Sequence, residues 1–410
     1  MHHFTAHRLR FVAEAREPIE LNEHQGSAIR GALFHALLDR FCTNRQAGEC
    51  AACPLVATCP VAFLVSTLNP QSERGRDIPR PFTVHPPLPG QGGHPTTLPN
   101  GRTVFHYQPG EPFTFGLTLY AQALQLFPYL VLAVSEFERG GIGRRVKQTD
   151  GRWRRGTLAV REVWAENPLT GERQPVLHPD ERLVQVPDIP ITHQQICEWA
   201  SQRGSEEANR RGGEEAGRQV TLHFLTPTRI IERGRLLKPN TFRFQPFFQR
   251  LMERLEALSR AFSDTPLVFD DPKGLITAAG RVEVMENCLR WEELQSYSTR
   301  QRQSTPIGGL MGEVVLEAED WHPFLPYLAW GQFTHVGKDA VKGNGWYRIS
   351  EAANQRSESA KRRIGAGRGS ESARQRDSGG RKRISEVARQ RGEEANQRGS
   401  ETMRRNRYDV

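Results

Sequence analysis

Nowhere in this chain of 410 residues do about 18 apolar residues run together, the length a membrane-spanning helix needs. The N-terminus, Met1-His2-His3-Phe4, also lacks the basic-then-apolar pattern of a secretory signal. Both absences predict a soluble, cytoplasmic protein. Excess charge of one sign is equally scarce over most of the length. The formal net charge is +9, but residues 350–410 hold 16 Lys/Arg against 9 Asp/Glu, a net +7, which leaves +2 for residues 1–349. The pI near 9.5 therefore describes the tail, and by itself it overstates the case for a nucleic-acid partner. Cysteine is sparse too, six in all, yet Cys42, Cys50, Cys53 and Cys59 fall within 18 residues. In a chain without an export signal such grouping points to metal rather than disulfides.

What is present reads as two α+β rounds. An opening strand spans His7 to Ala15, and Gln25 to Phe41 follows as a helix with Ile29, Leu33, Ala36, Leu37 and Phe41 on one face. Residues 69–101, rich in Pro and Gly, read as a long exposed loop or linker. A strand through Phe113–Tyr120, a helix over Leu126–Phe137 with Pro128 in its first turn, a basic glycine turn at Gly140–Lys147 and a strand from Leu158 to Trp164 complete the first round. The second begins at Val220–Thr226. It continues through a helix at Phe244–Phe262, strands near Ala278–Arg290 and Leu310–Ala318, and a helix near Phe324–Gln332. The fold class expected is α+β, tandem ferredoxin-like domains with a disordered C-terminal tail. The boundaries expected are 1–200 and 220–349 for the domains, with a low-complexity insertion at 201–219 and the Arg/Glu/Ser/Gly-rich tail at 350–410. Both biased segments carry too few large apolar residues to offset the entropy of ordering, so both read as disordered, the tail as a solvated or RNA-binding appendage.

The most informative stretch runs from Gly331 to Ile349. Gly337, Gly343 and Gly345 interleave with His335, Lys338 and Lys342 before a strand-like Trp346-Tyr347-Arg348-Ile349. Such a loop lets backbone N–H groups approach a phosphate while lysines supply charge. A nucleotide-binding P-loop is excluded, because no Gly-Lys-Ser/Thr follows and the glycine spacing is wrong. The alternative is a glycine hairpin that merely joins two elements.

Taken together, several motifs resemble a known family. They are Gly26-Ser27-Ala28-Ile29-Arg30-Gly31-Ala32-Leu33, the Cys50–Cys59 cluster, Phe127-Pro128-Tyr129-Leu130, Thr226-Pro227-Thr228-Arg229, Tyr297-Ser298-Thr299-Arg300-Gln301, Gly308-Gly309-Leu310-Met311-Gly312 and the terminal glycine loop. The chain resembles the CRISPR-associated precursor-crRNA processing endoribonucleases, the sixth Cas family, within the RAMP superfamily. That resemblance implies two RAMP domains and metal-independent cleavage of CRISPR repeat RNA. The ends it implies are a 5′-hydroxyl and a 2′,3′-cyclic phosphate, and in some members the guide is retained. Lys342 and Asn344 depart from it, since related sequences carry apolar residues there.

Cleavage without a metal needs the 2′-hydroxyl to attack the adjacent phosphate, one group to take its proton and another to protonate the leaving 5′-oxygen. Histidine suits either role because its ordinary pKa, about 6.5, lies near working pH. His35 lies about 160° around the helix from Leu33, so it is not a core residue. It is a candidate acid or base, and the resemblance implies that region for the catalytic histidine. His24, just before the same helix, and His335, at the glycine loop, are further candidates. Gly337, Lys338, Lys342, Gly343 and Gly345 are candidate RNA contacts, with Arg30, Arg144, Arg145 and Lys147 as weaker ones. Cys42, Cys50, Cys53 and Cys59 are the candidate ligands of a structural zinc, an iron–sulfur cluster being the alternative; Cys197 and Cys288 read as buried thiols. The partner expected is repeat RNA, with or without a multisubunit effector complex. The competing reading is a non-catalytic RAMP subunit that binds guide or repeat RNA.

Overall fold

Two rounds of strand, helix, strand, strand, helix, strand build the protein in the computed structural model, which describes residues 4–66, 79–178, 183–211, 219–267, 269–298 and 303–351. The expectations for the tail from residue 352 onward, for 69–78, for 212–218 and for Thr299-Arg300-Gln301 lie outside the described residues. Residues Met1–Ser350 form a single unit.

The first round is β1 (Thr5–Ala15), α1 (Gln25–Phe41), β2 (Phe82–His85), β3 (Pro112–Tyr120), α2 (Phe127–Ser135), an inserted hairpin β4 (Ile142–Lys147) and β5 (Trp153–Gly156), and β6 (Leu158–Asn167). Its sheet runs β6-β1-β3-β2, with Glu172–Leu177 added beyond β6. Along β1, Leu9, Phe11 and Ala13 are buried while Arg8, Arg10, Val12 and Glu14 are less so, the alternation of a sheet with one face on a core. That core takes Ile29, Leu33 and Leu37 from α1 and Phe127, Leu130 and Val134 from α2.

After α3 (His193–Arg211) the second round follows: β7 (Gln219–Thr228), α4 (Phe244–Phe262), β8 (Glu283–Glu292), β9 (Gly309–Glu317), α5 (Leu325–Thr334) and β10 (Tyr347–Glu351). Its sheet order, β8-β9-β7-β10, is the order of the first sheet read from the opposite edge. Both rounds thus have ferredoxin-like topology, as the rhythm of the sequence predicts. The Tyr120 hydroxyl donates to the Phe333 carbonyl (3.1 Å) and Arg254 Nε to the Thr334 carbonyl (2.7 Å), so α5 is tied both to β3 and to α4.

Three expectations need correction. The stretch 79–101 is not simply an exposed loop, since Phe82, Thr83, Val84 and His85 form a fully buried strand. Its prolines mark the ends of an edge strand too short for alternation to register. The strand expected from Ala278 begins at Glu283, because Asp271 caps a short helix, Pro272–Ala279, through the Gly274 N–H. Residues 201–211 of the low-complexity insertion continue α3 rather than lacking structure.

Helix α1 starts at His24, whose Nδ1 accepts from the Ser27 N–H at 3.2 Å. Two glycines of this helix stand in opposite situations. A Cβ on Gly26 would lie 1.9 Å from the Lys342 carbonyl oxygen, whereas one on Gly31 would meet nothing within 4 Å. Alanine is favoured over glycine inside a helix by about 0.8–1 kcal/mol, while overpacking a fixed contact costs about 1–3 kcal/mol. Gly31→Ala is therefore expected to raise the unfolding midpoint and Gly26→Ala to lower it, as urea titration of the two variants would show. Equal effects would mean that the Gly26 contact is not rigid.

Candidate active site

The glycine loop leaves α5 at His335, whose φ of +59° is unusual for a residue with a side chain, and returns to β10 after a short 3-10 turn, Ala340–Lys342. Its glycines are required by close packing. A Cβ on Gly345 would sit 1.8 Å from the Val336 carbonyl oxygen, and one on Gly343 would sit 2.6 Å from Pro86. The donors that the sequence offered to a phosphate are largely committed. The N–H groups of Lys342, Gly343, Asn344, Gly345 and Trp346 are bonded to Asp339, Ala340, Asp339, Pro227 and Thr226 respectively. Lys342 is half-buried and paired with Asp339 at 2.8 Å. Lys338 alone of the two lysines projects into solvent, beside half-buried Gly337.

The three candidate histidines are not brought together. His335 is fully buried, with Nδ1 3.1 Å from the Asn344 carbonyl oxygen and Nε2 without a hydrogen-bond partner. Its ring stacks on Trp346 (5.8 Å, 8°) and meets His85 edge-on (4.7 Å, 84°). Burial, with Arg254 and Arg8 nearby, holds its pKa well below the usual 6.5. His24 is buried at the same junction, and burial pushes its pKa down to about 4, partly opposed by the Asn344 side chain. His85, bonded to Thr118 at 2.7 Å, is likewise held well below 6.5 by burial and by the adjacent His335. These are neutral rings inside the protein. His35 stands about 16 Å further along the axis of α1 from His24 at 1.5 Å per residue, exposed on the side opposite Ile29, Leu33 and Leu37.

The surroundings of His35 are basic. Its pKa is lowered by partial burial and then by Arg155 and Arg30, with Asp39 opposing. Arg30 lies over the Phe34 ring at 5.1 Å, and β4 packs against α1. Of the hairpin residues singled out in the sequence, Arg144 is paired with Glu20, while Arg145 and Lys147 are exposed. Arg155 escaped sequence reasoning because nothing in its local pattern places it beside α1.

A second basic surface also escaped. Arg229, Arg233, Arg250, Arg254 and Lys338 line a cleft of about 650 Å³ in which Glu253 is the only carboxylate among the described residues. Half-buried Arg254 is held to Thr334, Arg250 pairs with Glu253, and half-buried Arg229 donates to the Gly308 carbonyl at 3.0 Å, which leaves Arg233 and Lys338 as the exposed cations of the cleft. The signal available was Arg229 at the end of its Thr-Pro-Thr-Arg motif; the others come together only when α4 packs beside β7.

The cysteine expectation is not supported. Cys42 caps the C-terminus of α1, Cys50 and Cys53 flank a single 3-10 turn, and Cys59 caps the helix Pro60–Val65. All four are half-buried thiols, and Cys53 accepts from Asn44 Nδ2 at 3.5 Å. The described residues hold no group of three or more His, Cys, Asp or Glu placed to bind a metal. The irregular outer spacings spread the thiols over separate turns. Cys197 is half-buried, 3.5 Å from His193 Nε2, and Cys288 is exposed rather than buried.

Two ferredoxin-like units joined around a buried glycine loop define a RAMP-type protein. Residues 222–347 match the family model described as CRISPR-associated endoribonuclease Cas6, and residues 4–189 match another described as an N-terminal domain. The Cas6 match thus covers the C-terminal domain, about a third of the chain. Among solved structures it is similar to a chain of a partial Cas6-RT-Cas1–Cas2 complex, with 15% identity and a TM-score of 0.51 over 85% of this chain and 46% of that one. The protein thus spans about half the length of that relative. It also matches Thermus thermophilus Cas6 at 15% identity, with a TM-score of 0.41, over 85% of this chain and 99% of that one. No curated protein matches. Among the described residues no helix is long and apolar enough to cross a membrane.

The buried histidines make stability depend on pH. His7 and His24 are pushed to about 4 and His85 and His335 lie well below 6.5, so between pH 6.5 and 4.5 the unfolded chain binds more protons than the folded one. Each such ring lowers stability by up to about 1.4 kcal/mol per pH unit on acidification. Urea unfolding at pH 7, 6, 5.5 and 5 is expected to show a progressive loss of stability below about pH 6.5. A flat profile would mean that these rings are hydrated.

Proposed function

We propose that the protein is an endoribonuclease that cuts precursor CRISPR RNA within its repeats to release guide RNAs, without a catalytic metal. The observation carrying this reading is the match of residues 222–347 to the Cas6 endoribonuclease domain. Of the histidines the sequence nominates, the reading assigns the chemistry to His35, because His24 and His335 are buried and cannot reach an RNA backbone in this conformation. Neutral His35 takes the 2′-hydroxyl proton, O2′ attacks the adjacent phosphorus, and the P–O5′ bond breaks. The 5′-oxygen leaves with a proton from water, giving a 5′-hydroxyl and a 2′,3′-cyclic phosphate. Arg155 and Arg30 keep His35 unprotonated and supply positive charge to the pentacoordinate phosphorus. Lys338 and Arg233 are assigned to phosphates elsewhere along the repeat.

One observation favours the second reading, a guide-binding subunit that does not cut. With His24 and His335 enclosed, no second candidate imidazole stands beside His35 to act as the acid. Association with other CRISPR proteins, such as those in the complex to which the chain is similar, belongs to either reading.

Single-turnover cleavage of the source organism's repeat RNA distinguishes them. Removing a general base typically costs about 10²–10⁴-fold, so His35→Ala is expected to slow cleavage by that order while RNA affinity stays within a few-fold of wild type. The wild-type rate should fall on acidification with an apparent pKa below 6.5, because the base works unprotonated and its neighbours lower its pKa. Tight binding with no cleavage by the wild type would establish the guide-binding subunit.

A further inference from the structure

The β4–β5 hairpin presents two unlike faces. In its register Arg145 pairs with Arg155, Val146 with Arg154 and Lys147 with Trp153. Residues directly opposite share a face and successive residues alternate, so Arg145, Lys147, Trp153 and Arg155 lie on one side and Val146 and Arg154 on the other. The second side is docked on the body. Arg154 is paired with Glu17 and Asp150, and Gln148 Nε2 donates to the Pro18 carbonyl at 3.2 Å.

The first side is left without acidic partners. Arg145, Lys147 and Arg155 make no ion pair among the described residues, and two of these cations are directly opposite each other across the ladder. Like charges so placed destabilise a strand pair, so the arrangement asks for an external anion. Among them Trp153 is 68% exposed, the one aromatic among the large exposed hydrophobics of the described residues. A protein surface gains nothing from such exposure, whereas a planar ring between cations is the means by which proteins hold single-stranded nucleic acid. The ring stacks a base, and the cations follow the phosphates. Duplex RNA would offer Trp153 no free base face. The strand β4 packs on α1, and Arg155 of this side acts on His35.

We propose that the Arg145, Lys147, Trp153 and Arg155 face of the β4–β5 hairpin clamps a single-stranded RNA segment beside the scissile phosphate, with one unpaired base stacked on Trp153. The proposal rests on the reading of the protein as an RNA-processing enzyme, and its test separates the two.

The test measures anisotropy with labelled repeat RNA and with oligouridylate for wild type, Trp153→Ala, Trp153→Phe and the double variant Arg145→Ala/Lys147→Ala. Repeat RNA carrying 5-iodouridine is photocrosslinked in parallel. Stacking is worth about 1–3 kcal/mol per base, so Trp153→Ala should weaken binding by about 5- to 150-fold and Trp153→Phe should restore most of it. The double variant should reduce the slope of log K against log salt by about 1.4, at about 0.7 per single-strand phosphate contact. The crosslinked peptide should contain Trp153. Wild type that binds RNA with affinity unchanged by Trp153→Ala, or that crosslinks elsewhere, overturns the clamp and leaves the proposed function standing, and the hairpin would then be assigned to an acidic protein partner. Trp153-dependent binding without cleavage supports the clamp and overturns only the nuclease. Wild type that binds neither RNA overturns both.

Discussion

The contact on which the rest depends is the approach of the glycine loop to the start of α1, where the Lys342 carbonyl lies where a side chain of Gly26 would be. It lets the second ferredoxin-like unit press its last loop against the first helix and against β2 of the other, closing the space around His24, His85, His335 and Trp346. A dry interior then keeps these imidazoles neutral, since burial disfavours the charged form. The same contact fixes the origin of α1. A helix is a stiff ruler, so fixing its first turn determines where His35 emerges, about three turns later, and which face it turns to the basic hairpin.

This arrangement reassigns the glycines. Alternating glycine and lysine is the pattern of a phosphate cradle, but a cradle needs unbonded N–H groups, and here those from Lys342 to Trp346 are committed to the protein. Glycine serves two different demands, open backbone for a ligand and close approach of backbone to backbone, and one sequence pattern meets both. At this site the second demand governs. The unpaired cations among the described residues lie instead on flanking elements, with Lys338 and Arg233 around one cleft and Arg145, Lys147 and Arg155 on the hairpin.

Much of the fold was legible because its elements are long and periodic. The α1 range Gln25–Phe41 and the α4 range Phe244–Phe262 follow directly from apolar spacing, and the βαββαβ order of the second round follows from their alternation with strands, whereas the first round lacked its second strand. Phe82–His85 was hidden because four residues between prolines carry no period. His35 could be placed on an exposed face from helical geometry alone, but its neighbour Arg155 is 120 positions away in sequence and reaches α1 only through hairpin pairing. The burial of His24 and His335 was equally hidden, because it arises from packing between two units rather than from either one. The cysteines show the converse. A Cys-x2-Cys spacing is necessary for a shared metal but not sufficient, and turns between the other thiols keep the four apart.

The account stands on an RNA cleavage driven by the substrate's own 2′-hydroxyl, so one measurement tests it most directly. Repeat RNA is incubated with the wild-type protein in EDTA, once as all-ribose and once with a single 2′-deoxy nucleotide at the mapped cleavage position. The account predicts cutting of the first, with a 2′,3′-cyclic phosphate on the upstream product, and binding without cutting of the second. Equal cleavage of both RNAs, or cleavage that EDTA abolishes, would contradict it.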